Sequence, residues 1–398
     1  MKLIWTTRRS FPGPGGIPQM MREVAGPVHQ DHAIRVFAAR VDDVPVTRLN
    51  SSVRAQRFRT MWHDGIEINP LPHDAFSRAA GVGLGALSIP GARRLANAPL
   101  RALTAPPFTR ALARGFRREF EGAELVHTWG GEHVNWAAGH AAKKLDLPLV
   151  VTPFAHPGQW GDDAQNAAFY RSADRVLALV PSEAAVYESL GVDADRIRVV
   201  GVPAPAMPEP AGDPRKAHGI GQRPLVLFLG VKEPYKGYRL VLQAMEGVWR
   251  AVPDARFAFI GPHTQTSEQD FSVVDDERVV VRGTVDRGEL TAWLKQADTL
   301  ILPSASEIFP VVILEAWSWS TPVVSGRWWC AEDVVSNGTD GLIIDPSVEL
   351  VTGALITMLR DEAMRKAMGE AGRAKVEASF TPEVVARSHL DAYRQLLS

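Results

Sequence analysis

The 398-residue chain has a single cysteine, Cys330, only five tyrosines, and almost no net charge, −1 with histidine neutral. One thiol cannot build an internal disulfide framework and suits a reducing compartment. Charge so close to balance argues against a general nucleic-acid binder, whose surface must neutralise phosphates. No apolar run approaches the roughly 18 residues that a membrane-spanning helix needs. The opening Met1-Lys2-Leu3-Ile4-Trp5-Thr6 is too short for a secretory leader before Arg8 and Arg9. A cytoplasmic protein is therefore expected. What is present is ordinary for a globular chain, 45% hydrophobic and 22% charged residues, and the length allows two cores.

Those cores show as two alternations of strand and helix. In the first half, strands are expected at 2–6, 32–39, 65–71, 124–128, 149–152, 173–180 and 196–200, with helices from about Pro18, at 134–145 and at 182–190. Residues 202–214 carry prolines at 203, 205, 208, 210 and 214 and read as a linker. The second half resumes with strands at 225–229, 256–260, 278–281, 299–302, 322–325 and 341–344, separated by helices at 238–251 and 289–297. Alternation of this kind implies right-handed crossovers and parallel sheets. The fold class is α/β. One stretch stands apart: residues 76–118 hold eight arginines and no acidic residue, in one or two helices.

The most informative stretch is Ser304-Ala305-Ser306-Glu307-Ile308-Phe309-Pro310-Val311-Val312-Ile313-Leu314-Glu315. It follows a buried-strand pattern, and Pro310 suits the first position of a helix. Glu307 then lies in a strand-to-helix loop and Glu315 on the helix. Both can face the crevice beyond the strand's carboxyl end, where open α/β sheets bind ligands. Glu315 sits among apolar residues, so its charge calls for a partner. Glu307-x7-Glu315, with Pro303-Ser304 before it and Ala316 and Pro322-Val323-Val324 after it, resembles the signature of the retaining family-four glycosyltransferases. The resemblance implies the GT-B fold, two Rossmann-like domains facing across a cleft. It divides the chain into an acceptor-side domain at 1–203, a linker at 204–222 and a nucleotide-sugar domain at 223–380. Residues 381–398 become a helix packing back on the first domain.

The resemblance also assigns roles. Glu307 would contact hydroxyls of the transferred sugar, and Glu315 the nucleotide ribose. The loop Gly230-Val231-Lys232-Glu233-Pro234-Tyr235-Lys236-Gly237 matches the family's phosphate loop, in which Lys236 and Lys232 would meet the diphosphate. Valine at 231 replaces the family's arginine, and Ile308 and Pro310 replace two glycines, which leaves the amides of Phe309, Val311 and Val312 as donors. Gly15 and Gly16 match a glycine pair near the donor phosphates and the acceptor. His156 stands for a histidine that contacts the sugar near its reacting carbon, displaced from its usual place at Phe154. His127, Glu132 and His133 are acceptor-side candidates, with a metal cluster as the alternative. Asp193-Ala194-Asp195 reads as a solvated turn, so no metal or other cofactor is expected.

The implied activity is retaining transfer of a sugar from a nucleotide diphosphate sugar to a glycan, a lipid-linked acceptor or a small molecule. An epimerase or hydrolase of the same fold, or a non-catalytic sugar-nucleotide-binding subunit, stays open. Residues 76–118 raise a further expectation, peripheral contact with an anionic membrane on its inner face. There arginines would meet headgroups, and Leu84, Leu87, Ile89, Leu95, Leu100, Leu103 and Phe108 would dip among them.

Overall fold

The computed structural model describes residues 1–13, 15–41, 58–86 and 97–398. Pro14, Leu87, Ile89, Arg93, Arg94 and Leu95 lie outside the described residues, as do the side chains of Leu84, Leu100, Arg101 and Leu103. The chain forms two compact units, residues 1–203 with 382–398, and residues 204–381.

The first unit is built on β1 (Lys2–Arg9), β2 (Ala33–Arg40), β3 (Met61–His63), β4 (Ile66–Pro70), β5 (Leu125–Trp129), β6 (Leu149–Thr152), β7 (Arg175–Ala178) and β8 (Ile197–Val199). They lie in the order β3-β4-β2-β1-β5-β6-β7-β8. Trp5 of β1 is in register with Val36 of β2 on one side and His127 of β5 on the other, both parallel. Every residue of β5, β6 and β7 is buried, because helices cover both faces of a parallel sheet. This is why these strands read as unbroken apolar runs. The direction of winding reverses between β1 and β5, and that reversal marks the ligand-binding edge. The hairpin of β3 with β4 is antiparallel and turns through Asp64-Gly65, both at positive φ, as an Asp-Gly hairpin turn requires; the strand expected at 65–71 gains a three-residue partner that was not expected, Met61-Trp62-His63.

The second unit holds β9 (Leu225–Leu229), β10 (Arg256–Ile260), β11 (Val279–Arg282), β12 (Thr299–Leu302), β13 (Val323–Gly326) and β14 (Gly341–Ile344). Their order is β11-β10-β9-β12-β13-β14, with all pairs parallel. Here the reversal falls between β9 and β12. Phe228, Phe257 and Phe259 pack with Tyr238, Val241 and Val248 of the helix Tyr238–Ala251 in its core. Complete removal of such a side chain from water stabilises by roughly 1.5–3 kcal/mol.

Two expectations are corrected, for Pro310 and for Phe108. Pro310 is the N-cap, not the first turn, of the helix Val311–Trp317, because its ψ of 104° is extended. The arginine-rich stretch forms the helices Ala75–Ala86 and Asn97–Glu119, and the second runs through Pro106 and Pro107. Phe108 is not lipid-facing: with Leu112 and Phe116, at helical spacing, it is wholly buried in the core of the first unit. Arg110, Arg114, Arg117 and Arg118 occupy the exposed face, and the Arg114 guanidinium lies 4.9 Å from the ring centre of exposed Phe76. No helix among the described residues is long and apolar enough to cross a membrane.

The last helix, Pro382–Leu397, joins the first unit. It packs on the helix Gly16–His29 and brings Tyr393 Oη within 2.7 Å of His127 Nδ1.

Candidate active site

In the second unit, the loop after β9 and the loop after β12 flank the reversal of the sheet. Gly237 closes the first loop at φ +80°. A β-carbon on it would stand 2.3 Å from the Pro303 carbonyl oxygen, so only glycine allows the two loops to meet. Ala305 N then donates to Tyr235 O at 2.8 Å. The outcome is an ion pair between Lys236 Nζ and Glu307 Oε1, whose side chains are only 17% and 11% exposed. A diphosphate and its sugar would be met here by an ammonium and a carboxylate held side by side.

Lys232 is placed differently. It is wholly buried, and its ammonium donates to the carbonyls of Gly261 and, at 2.7 Å, Arg282. Burial pushes it down to about 8 because desolvation disfavours the charged form. Lys232 therefore ties the ends of β9, β10 and β11 together, and its expected place beside Lys236 on the diphosphate is corrected. Sequence spacing alone could not separate two lysines in one loop.

Glu315 has the partner that its apolar surroundings demanded. The residue is 7% exposed, and Arg287 Nη1 donates to its Oε1 at 2.6 Å. Arg287 also reaches the Ala206 carbonyl at 3.2 Å. It carried no signal of its own, being one of many surface-pattern arginines at the start of a helix, Arg287–Gln296. The helix Val311–Trp317 has no side-chain cap, so the amides of Val311 and Val312 lack intrahelical acceptors. Phe309 packs edge-on against Phe380, centroids 5.4 Å apart. Ile308 is buried, and Cys330 Sγ lies 3.2 Å from its carbonyl oxygen.

In the first unit, Gly15 caps the helix Gly16–His29 at φ +119°, ψ 161°, a conformation essentially closed to other residues. A β-carbon on Gly16 would meet nothing within 4 Å, so the helix start lies open there. The acceptor-side candidates are not brought together. His127 is fully buried, with Nδ1 on Tyr393 Oη and Nε2 on Thr152 Oγ1 at 2.8 Å. Both ring nitrogens are committed, and burial holds its pKa well below the usual value. Its expected acceptor role is corrected to an anchor for the last helix. Glu132, at φ +73°, points outward to Arg8 at 3.1 Å. His133 is buried edge-on against Trp136, centroids 4.8 Å apart. Among the described residues no three His, Cys, Asp or Glu side chains gather as metal ligands do. Asp193 and Asp195 are exposed, Asp193 pairing with Arg196 at 3.0 Å.

His156 is half-buried in the loop after β6. Phe154, two residues after Thr152, turns inward at φ +57° and stacks towards Trp129, centroids 6.3 Å apart. His156 N donates to Trp160 O at 2.8 Å, and the two rings lie 4.1 Å apart.

The chain is similar to known glycosyltransferases in sequence and in fold. Residues 14–202 match the model described as Glycosyltransferase Family 4, and residues 213–375 that described as Glycosyl transferases group 1. A GDP-mannose-dependent alpha-(1-6)-phosphatidylinositol monomannoside mannosyltransferase of Mycolicibacterium smegmatis is 28% identical, over 91% of this chain and 90% of its own. A D-inositol 3-phosphate glycosyltransferase of Xylanimonas cellulosilytica is 27% identical, over 72% of this chain and 76% of its own. The solved sucrose-phosphate synthase of Thermosynechococcus elongatus superposes with a TM-score of 0.69 at 20% identity, covering 100% of this chain and 99% of that one.

Proposed function

Since the chain belongs to the family-four glycosyltransferases and transfers sugar from a nucleotide sugar, we propose that it does so with retention at the anomeric carbon and without a metal ion. The observation that carries this is the Lys236–Glu307 pair at the reversal between β9 and β12. Lys236 supplies a fixed positive charge where the leaving diphosphate develops its own, the role that metal ions or arginines fill elsewhere. The open amides of Val311 and Val312 add to it. Glu307 accepts from hydroxyls of the transferred sugar, and Glu315 from those of the ribose.

In the reaction the bond from the anomeric carbon to the β-phosphate oxygen breaks. The acceptor oxygen bonds to the same face, and its proton passes to the departing phosphate. No protein nucleophile enters these steps. The relatives' names put GDP-mannose first among donors to try, and phosphorylated or lipid-linked inositols first among acceptors.

The test is transfer from a panel of nucleotide sugars, the donor being chosen by thermal shift, since a bound donor stabilises by mass action. Activity should persist in excess chelator, fall at least about 100-fold (roughly 2.7 kcal/mol) in Lys236→Ala, and give a product with the donor's anomeric configuration. Loss in chelator that magnesium or manganese restores, or an inverted product, refutes the proposal. Donor binding without turnover would instead favour a non-catalytic subunit, the course suggested by Val231, Ile308 and Pro310.

A further inference from the structure

The loop that carries His156 holds an aromatic ring out in solvent. Trp160 is 49% exposed. A single exposed tryptophan is unremarkable on its own, but this one is fixed by an unusual amount of structure. His156 and Trp160 form a two-residue bridge, His156 N to Trp160 O at 2.8 Å and Trp160 N to His156 O at 3.1 Å. The turn between them passes through Gly158 at φ +73°, whose N–H donates to Asp162 Oδ2 at 2.6 Å. Gly161 follows at φ +87° and lies so close to Ala155 that a β-carbon would stand 3.0 Å from its Cα. Buried Tyr170 donates to the Gly161 carbonyl at 2.8 Å, and Tyr187 Oη lies 3.4 Å from the Ala155 amide. A loose loop would fold so large an apolar ring inward. This one is braced from beneath and sets the Trp160 ring beside His156 at a tilt of 42°, with about half of the residue exposed.

We propose that Trp160 is the floor of an acceptor subsite that takes an uncharged six-membered polyol ring, a hexose or an inositol, stacked beside His156. The C–H groups on the flat face of such a ring carry partial positive charge and suit the negative face of an indole. Its hydroxyls find an acceptor in the half-exposed carboxylate of Asp162, whereas Asp163 caps the helix Ala164–Ser172, its Oδ1 taken by the amides of Gln165 and Asn166 and its Oδ2 by Asn166 Nδ2. Those carboxylates disfavour a phosphate at the same place, so a phosphorylated acceptor lies with its anionic group elsewhere. The inference rests on the transferase reading, because it assigns the occupant to the acceptor; the nucleobase belongs to the unit that carries Glu315.

The experiment is a ligand-observed NMR titration of the full chain, saturated with the nucleoside diphosphate that gives the largest thermal shift. Methyl α-D-mannopyranoside and myo-inositol serve as probes. The wild type should bind at least one of them saturably. Trp160→Ala should weaken that binding at least fivefold, and Trp160→Phe should stay within about twofold of the wild type. The thermal shift from the nucleotide should be the same in all three proteins. Equal affinity in Trp160→Ala, or no saturable binding of either probe to the wild type, overturns the proposal. So does a lost nucleotide shift in Trp160→Ala, which would make the ring a platform for the base. Failure of the transferase reading shows separately, as the absence of any nucleotide shift in the wild type.

Discussion

Glu183 offers the sharpest quantitative test. It lies in the helix Pro181–Ser189 and is wholly buried, its carboxyl accepting from Leu179 N at 2.6 Å and from Tyr187 Oη. Burial pushes it up to about 7 in spite of those donors. The folded state thus favours the protonated form more than the unfolded state does. Its contribution to stability is complete below the unfolded pKa, near 4.5, and is lost as pH rises through about 7. At 1.36 kcal/mol per unit, the difference amounts to about 3 kcal/mol between pH 4 and pH 8. Glu183→Gln has the shape and hydrogen-bonding pattern of the protonated acid and cannot ionise. Wild type and variant would be compared by urea titration at pH 5 and pH 8. Hydrogen-exchange protection of residues 175–190 would report the unfolding, so that the first unit is followed by itself. The variant should gain about 2.5 kcal/mol on the wild type between the two pH values, since part of the effect already shows at pH 5. Parallel pH dependence, within about 0.5 kcal/mol, would mean that Glu183 ionises without penalty and that burial does not govern it.

Two further tests address the charges. Glu307→Gln should lower kcat/KM at least tenfold, about 1.4 kcal/mol, yet bind nucleoside diphosphate as tightly as the wild type or tighter, because Lys236 loses its neutralising partner; weaker diphosphate binding would contradict the pairing. On the basic face, Arg110, Arg114, Arg117 and Arg118 are exposed, and a surface-bound arginine gains about 1 kcal/mol at an anionic bilayer. The chain should sediment with phosphatidylserine liposomes at low salt and detach as salt rises through roughly 0.1–0.5 M, and replacing all four with Gln should abolish binding. Indifference of the wild type to such liposomes at low salt would leave no membrane role for this face.

The strands were legible because a parallel sheet buried on both sides forces its apolar residues into unbroken runs, as in Leu225–Leu229 and Thr299–Leu302. Glu307 and Glu315 were legible as a pattern, and Glu315 as a charge in need of a partner. The partner itself was not, since Arg287 lies on a different helix and nothing local marks it. Nor could the sequence separate Lys236 from Lys232: one faces the site and the other the carbonyls behind it, and the choice is made by Gly237, whose missing side chain lets the loop touch Pro303. His127 failed for the opposite reason, being placed at a strand end where ligands bind but claimed by Tyr393, 266 residues later.

The charges of the donor half-site share one property that no local motif encodes. Lys236 is paired with Glu307 and Arg287 with Glu315, so each carboxylate assigned to a sugar hydroxyl is already satisfied by a cation. A half-buried charge left alone would cost several kcal/mol in desolvation, and these pairs remove that cost from the ligand-free protein. On the roles proposed above for Lys236 and Glu307, binding would be an exchange. A diphosphate approaching Lys236 draws the ammonium away from Glu307, which frees the carboxylate oxygen for a sugar hydroxyl at the moment the sugar arrives. A nucleoside diphosphate without its sugar makes only half of that exchange, because it takes the cation and leaves Glu307 with no donor. The intact nucleotide sugar completes both halves. The site therefore favours the donor over its own leaving group by a term that resides in Glu307, and Glu307→Gln, which needs no partner when Lys236 leaves, should narrow the gap in affinity between the two.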